Sequence, residues 1–104
     1  MNDNDIFVIH PFLKFSKYKQ KYYLEEAKNL VKAINLRCRK SFTIGLEKIS
    51  PKTFINKGNI LYFKKQIKES SVDVVFLNVN LTPIQQRNLE NELNVKVIDR
   101  TGLI

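Results

Sequence analysis

Few residues in this chain are equipped for chemistry. His10 is its one histidine and Cys38 its one cysteine. An internal disulfide and any multi-cysteine or histidine-rich metal centre are thereby excluded, and a Ser-His or Cys-His nucleophile can come only through His10. Cys38 lies between Arg37 and Arg39, and neighbouring positive charge lowers a thiol pKa; an incidental or structural cysteine is the alternative. Tyr18, Tyr22 and Tyr23 interleave with Lys17, Lys19 and Lys21. Rings in such a setting stack on bases while lysines hold phosphates, although Tyr23 also falls on a helical core stripe. Glu90 and Glu92 are two apart and point in different directions on a helix, so they make no acid/base pair. No G-x-x-x-x-G-K-[ST], G-x-G-x-x-G or G-x-S-x-G run occurs, which leaves no phosphate loop, dinucleotide fingerprint or nucleophile elbow. Nothing reads as an enzyme, and no cofactor is implied.

The elements that must position these residues alternate. Ile6–Ile9 is a short β-rich run, read as a buried strand that His10-Pro11 stops. Tyr23, Leu24, Ala27, Leu30, Val31 and Ile34 recur at helical spacing, with an i,i+3 Glu25–Lys28 pair, predicting a helix over 18–36 that ends near Asn35. Ser41–Leu46 alternates as a strand, and Ser50-Pro51 marks a loop. Ile60, Phe63 and Ile67 share one face of a helix over 57–70. Val72–Val79 is nearly all apolar, a strand covered on both faces. Thr82, Pro83 and Gln85 open a third helix as cap, first-turn proline and capping-box partner. Leu89 and Leu93 supply its apolar face, and Asn94 caps its end. Val95–Ile98 is the fourth strand. The order β-α-β-α-β-α-β predicts an α/β fold with a four-stranded parallel sheet of order 2-1-3-4. In that order the first and third strands end side by side. His10, Asn78 and Asn80 then flank a crevice in the usual ligand position, or serve only as turn residues.

The 104 residues make one domain, 1–104, with 43% apolar and 27% charged residues, an ordinary globular composition. The net charge is +8, with Lys plus Arg at 18 and Asp plus Glu at 10. The excess lies between His10 and Lys68, whereas residues 72–104 hold three basic and four acidic side chains. Such asymmetry suits a polyanion. It also suits an AT-biased genome, since Lys outnumbers Arg 14 to 4. No apolar run approaches the ~18–20 residues that cross a bilayer. The acidic start, Met1–Asp5, is unlike a signal peptide, so a cytoplasmic protein with no membrane span is expected.

Two stretches go beyond generic pattern. Leu81-Thr82-Pro83-Ile84-Gln85-Gln86-Arg87-Asn88-Leu89-Glu90 is followed by Val95-Lys96-Val97-Ile98-Asp99-Arg100-Thr101-Gly102-Leu103-Ile104. Together they closely resemble the L-S-P-x-Q-Q-R-N-L-E and V-x-V-I-D-R-T-x-L-I-L segments of the N-terminal domain of HflX-type GTPases. The matching positions include Pro83, Gln85, Gln86, Arg87, Asn88, Asp99, Arg100 and Thr101. Upstream, Pro51–Asn59 resembles that family's P-x-T-Y-I-G-x-G-K segment. Gly58 is kept there, Phe54 stands for the Tyr, Asn56 for the first Gly and Asn59 for the Lys. Asn tolerates left-handed backbone, so a turn at Asn56 is expected to survive, while loss of the Lys removes a phosphate contact. Asn78-Val79-Asn80 stands where the family commonly has D-D-E, which makes this face less repulsive to RNA.

The resemblance implies a non-catalytic α/β part of a ribosome-associated GTPase. That part lies before the P-loop and switch regions, so GTP hydrolysis is not carried over. The family is expected to continue beyond Ile104, making this chain a truncated or isolated segment. The implied partner is the large ribosomal subunit and its RNA. The basic contact candidates are Lys57, Lys64, Lys65, Arg87 and Arg100. The two arginines rest on motif positions and the lysines on charge and helix geometry. An ion pair of Arg100 with Asp99 or Glu92, and a plain surface role for Arg87, are the alternatives. Other readings stand beside this one. The chain could pair as an interaction module with a separate G-domain polypeptide through an open sheet edge and the apolar end Gly102–Ile104. It could bind a small ligand near His10, or be a remnant of a decayed gene.

Overall fold

A computed structural model describes residues 4–16 and 18–103. The expectations that touch Asp3, Lys17 and Ile104 lie outside the described residues. The elements are β1 (Asp5–Leu13), α1 (Gln20–Ala33), β2 (Arg37–Leu46), α2 (Lys57–Ser70), β3 (Val74–Leu77), α3 (Pro83–Leu93), β4 (Lys96–Ile98) and a short α4 (Arg100–Leu103). The four strands form one parallel sheet of order β2-β1-β3-β4, as the alternation predicts.

β1 lies inside the sheet, so its side chains enter two cores in alternation. Phe7 and Ile9 pack with Ile60, Phe63, Val75, Leu77, Leu89 and Val97 beneath α2 and α3. Ile6 and Val8 pack with Ala27, Val31 and Phe76 beneath α1. This is why Ile6–Ile9 and Val74–Leu77 are continuous apolar runs without polar alternation. α1 covers one face because its connection steps from β1 to β2. The next two connections step the opposite way, and right-handed crossovers place α2 and α3 on the other face.

Several boundaries differ from the sequence expectation. β1 does not stop at His10-Pro11 but runs on to Leu13, paired with β2 throughout. The Ile9 carbonyl accepts from the Asn78 N–H on the β3 side. Two residues on, Pro11 points its nitrogen the same way, past the end of β3, where no ladder bond is lost. β2 starts at Arg37, and its register with β1 shifts between Ile6 and Phe7, leaving Arg39 as an extra residue. β3 is shorter than the apolar run. α1 is narrower than its stripe: it buries Ala27 and Val31 but leaves Tyr23, Leu30 and Ile34 exposed. α4 has no counterpart among the expected elements.

Capping follows local chemistry. Thr82 accepts from the Gln85 N–H at 3.1 Å and the Gln85 side chain accepts from the Thr82 N–H at 3.0 Å. Asn94 ends α3 in the left-handed conformation. At α2 the expectation of a left-handed Asn56 is corrected. Asn56 is extended, with φ −82°, and forms a capping box with Asn59. The left-handed residue is Phe54, at φ 65°.

Candidate functional site

In a parallel α/β sheet every strand ends where the next helix begins. The loops after β1, β2, β3 and β4 therefore share one end of the molecule with the N-termini of α1, α2 and α3. Those termini carry partial positive charge. A cavity of about 440 Å³ opens there, lined among others by His10, Gln20, Tyr23, Asn78, Asn80 and Arg100. The crevice expected beside His10 is thus formed.

Its floor is a closed hydrogen-bond set. The Asn78 Nδ2 amide donates to His10 Nδ1 at 3.0 Å and to the Tyr23 carbonyl at 3.3 Å. An amide N–H donor requires Nδ1 to accept, so the ring proton sits on Nε2, which donates to Gln20 Oε1 at 2.6 Å. Gln20 Nε2 in turn donates to the Ser16 carbonyl. His10 and Asn78 are buried, and His10 has no free nitrogen for a metal or proton relay. The rim differs. Asn80 is exposed and accepts from the Thr101 hydroxyl at 3.4 Å. Arg100 is exposed. Asp99, one of the two carboxylates that the ion-pair alternative offers Arg100, accepts from the Leu81 and Gly102 N–H groups instead, at 2.9 and 3.0 Å. Among the described residues Arg100 pairs with neither Asp99 nor Glu92.

Most motif positions hold backbone. Pro83 takes the first position of α3. Gln85 Nε2 donates to the Ser50 carbonyl at 2.9 Å and Asn88 Nδ2 to the Lys52 carbonyl at 3.0 Å, tying the β2–α2 loop to α3. Gln86 Nε2 donates to the Val97 carbonyl at 2.9 Å, and Glu90 Oε2 accepts from the Val97 N–H at 3.0 Å. Gly58 sits exposed in the first turn of α2. Of the charged motif residues, Arg87 and Arg100 remain exposed and Asp99 is buried.

The five basic candidates do not form one cluster. Lys57 starts α2 and Arg100 follows β4, both at the crevice end. Lys64 and Lys65 lie two turns down α2, about 10–12 Å along its axis, and Arg87 is in the second turn of α3; all three are exposed. Lys14, Lys48 and Lys52, outside the five candidates, also occupy loops at the crevice end. Lys14 and Lys48 come within two residues of a strand end and Lys52 lies farther along the β2–α2 loop, and a place in the loop after a strand of a β-α unit is the sequence signal for that end. Lys14 is paired with Glu47 at 3.4 Å.

Cys38 departs from expectation. Burial raises its thiol pKa; Lys28 opposes that shift and Glu25 adds to it. The flanking arginines turn to the buried carboxylate of Asp5 instead, with Arg37 Nε 3.0 Å and Arg39 Nη1 3.6 Å away. The Asp5 Oδ1 contact is an ion pair without hydrogen-bond alignment. Tyr18 and Tyr22 are exposed, while Tyr23 packs on His10 with ring centroids 5.9 Å apart. Among the described residues no group of three or more His, Cys, Asp or Glu could hold a metal ion, and no helix is long and apolar enough to cross a membrane.

Residues 21–104 match a family model described as GTP-binding GTPase N-terminal. The chain is 42% identical over 81 residues to GTPase HflX of Magnetococcus marinus, covering 78% of this chain and 19% of that protein. It is 32% identical over 90 residues to GTPase HflX of Escherichia coli, covering 86% and 21%. The chain thus spans about a fifth of the length of the curated relatives it matches. The crystal structure of SsGBP in complex with GDP is similar in fold, with a TM-score of 0.67 and 18% identity over 95% of this chain and 27% of that one.

Proposed function

The chain belongs to the GTP-binding GTPase N-terminal family, and from that premise we propose that residues 1–104 act as one non-catalytic α/β unit of an HflX-like GTPase. In this reading the unit works in the cytoplasm and contributes to binding the large ribosomal subunit through its RNA. GTP hydrolysis falls to residues outside this stretch, which has no phosphate-loop sequence.

The observation that carries the RNA reading is the crevice end of the sheet. Three helix N-termini, Lys57, Arg100, Lys48 and Lys52 lie at that end of the sheet, Arg100 lining the crevice itself, and the buried Asp99 is turned inward on backbone donors. A phosphate backbone placed against that end meets cations and N-terminal dipoles together. Arg87, Lys64 and Lys65 extend the cationic surface over α3 and α2.

Co-sedimentation of the chain with large ribosomal subunits tests this. If five phosphate contacts form, the salt slope is about −4, and affinity falls roughly 200-fold or more between 50 and 200 mM salt. Replacing Lys57, Lys64, Lys65, Arg87 or Arg100 by Gln reduces that slope by about 1 each. Absent binding, or binding that salt does not weaken, overturns the proposal.

A further inference from the structure

The β1–α1 junction exposes aromatic surface on a scale that packing does not require. Phe15 is 83% exposed, Tyr18 72% and Tyr22 59%. The Tyr18 and Tyr22 rings flank one ammonium group and so form a contiguous exposed patch, the kind of surface that marks a binding site. Charge says what kind: Lys14, Lys17, Lys19 and Lys21 fall within residues 10–24, which hold no carboxylate, although Glu47 pairs with Lys14 and Glu25 and Glu26 lie beside Tyr22 farther along α1. Lys17 lies outside the described residues.

The geometry interleaves the two chemistries. Lys19 Nζ is 5.2 Å from the Tyr18 ring centroid and 5.8 Å from that of Tyr22, and Lys21 adjoins Tyr22 in sequence. Lys19 itself is the N-cap of α1, left-handed at φ 57° with no side-chain cap, so the first-turn N–H groups lack that partner. Stacking faces alternating with phosphate-holding ammonium groups match a strand whose bases are free to splay. An acidic protein segment would use the lysines and leave three rings in water.

We infer that the β1–α1 junction is a stacking platform for single-stranded RNA, with Tyr18 and Tyr22 taking bases and Lys19 and Lys21 holding the adjoining phosphates. The inference rests on the RNA-binding reading and deepens it by naming an unpaired strand as the preferred form.

Anisotropy of the full chain with a labelled 12-nucleotide single-stranded RNA, and with a duplex of the same sequence, tests it. Tyr18→Ala and Tyr22→Ala are each expected to weaken single-strand binding roughly 5–150-fold. Tyr18→Phe and Tyr22→Phe keep the ring and are expected to restore affinity. Circular dichroism checks that the variants fold. Three of the four tyrosines lie in or beside this patch and the chain has no tryptophan, so RNA binding should also quench the intrinsic tyrosine emission. Unchanged affinity in the Ala variants overturns the platform, as does equal loss in the Phe variants or an equal effect on duplex. Ring-dependent binding of poly-glutamate in place of RNA also overturns it. If the Ala variants still sediment with ribosomes at full strength, the platform fails and the wider reading stands. If the wild-type chain binds neither ribosomes nor RNA, the wider reading fails.

Discussion

At the scale of single residues, proximity in sequence is a poor guide to electrostatic environment. Arg37 and Arg39 flank Cys38 in the chain, yet alternate residues of a strand face opposite ways. The arginines reach Asp5 on β1 while the thiol turns toward the α1 layer. Burial disfavours the thiolate and wins over Lys28. Iodoacetamide should therefore alkylate Cys38 more slowly at pH 7.5 in the folded chain than in urea, with the folded rate climbing at more alkaline pH; equal rates would contradict the assignment. His10 and Asn78 make a parallel case. Their types suggested a ligand site, but both His10 nitrogens and the Asn78 amide nitrogen are committed to one another, to Gln20 and to Tyr23. Asn78→Ala leaves the buried His10 Nδ1 unsatisfied and should cost about 1–3 kcal/mol in urea unfolding.

At the scale of elements, the two sheet edges are managed differently. On β4, Glu90 and Gln86 of α3 occupy the outward N–H and carbonyl of Val97, so the helix seals the edge. On β2, Arg37, Arg39 and Lys40 crowd the strand and Arg39 is the extra residue of the register shift, devices that discourage pairing with another edge. Glu90→Ala should cost about 1–3 kcal/mol, because the Val97 N–H is buried. It should also promote self-association, seen as a concentration-dependent rise in sedimentation coefficient; a variant as stable as the parent and no more associated would refute the seal. The capping box of Thr82 and Gln85 was legible beforehand because both partners lie within one turn. The Gln86–Val97 bond was not, since it depends on which strand ends the sheet. The same holds for Pro11, tolerated only because β3 stops at Leu77. Alternating apolar runs fixed element order and sheet class, while boundaries followed from what each strand meets in space.

At the scale of the molecule, the net charge of +8 acts with opposite sign on two properties. Like charges repel within the fold, so screening should raise the melting temperature by about 2–4 °C between 50 and 300 mM sodium chloride, the shift that roughly half a kcal/mol gives in a chain this size. The same salt should weaken the proposed RNA contact. A melting point that falls with salt would show that ion pairs outweigh repulsion. Net charge was readable from composition, but its division was not: the loops after β1 and β2 collect cations at one end only because parallel topology gathers those loops there. Strand order also sets a timetable. β1 is translated first and buried deepest, and Val75, its Phe7 partner on β3, is made 68 residues later. A nascent chain can complete β1–α1–β2 early, but Ile6–Ile9 keep an unpaired flank until β3 arrives. A translational pause between residues 46 and 74 would hold that apolar flank open for as long as the pause lasts.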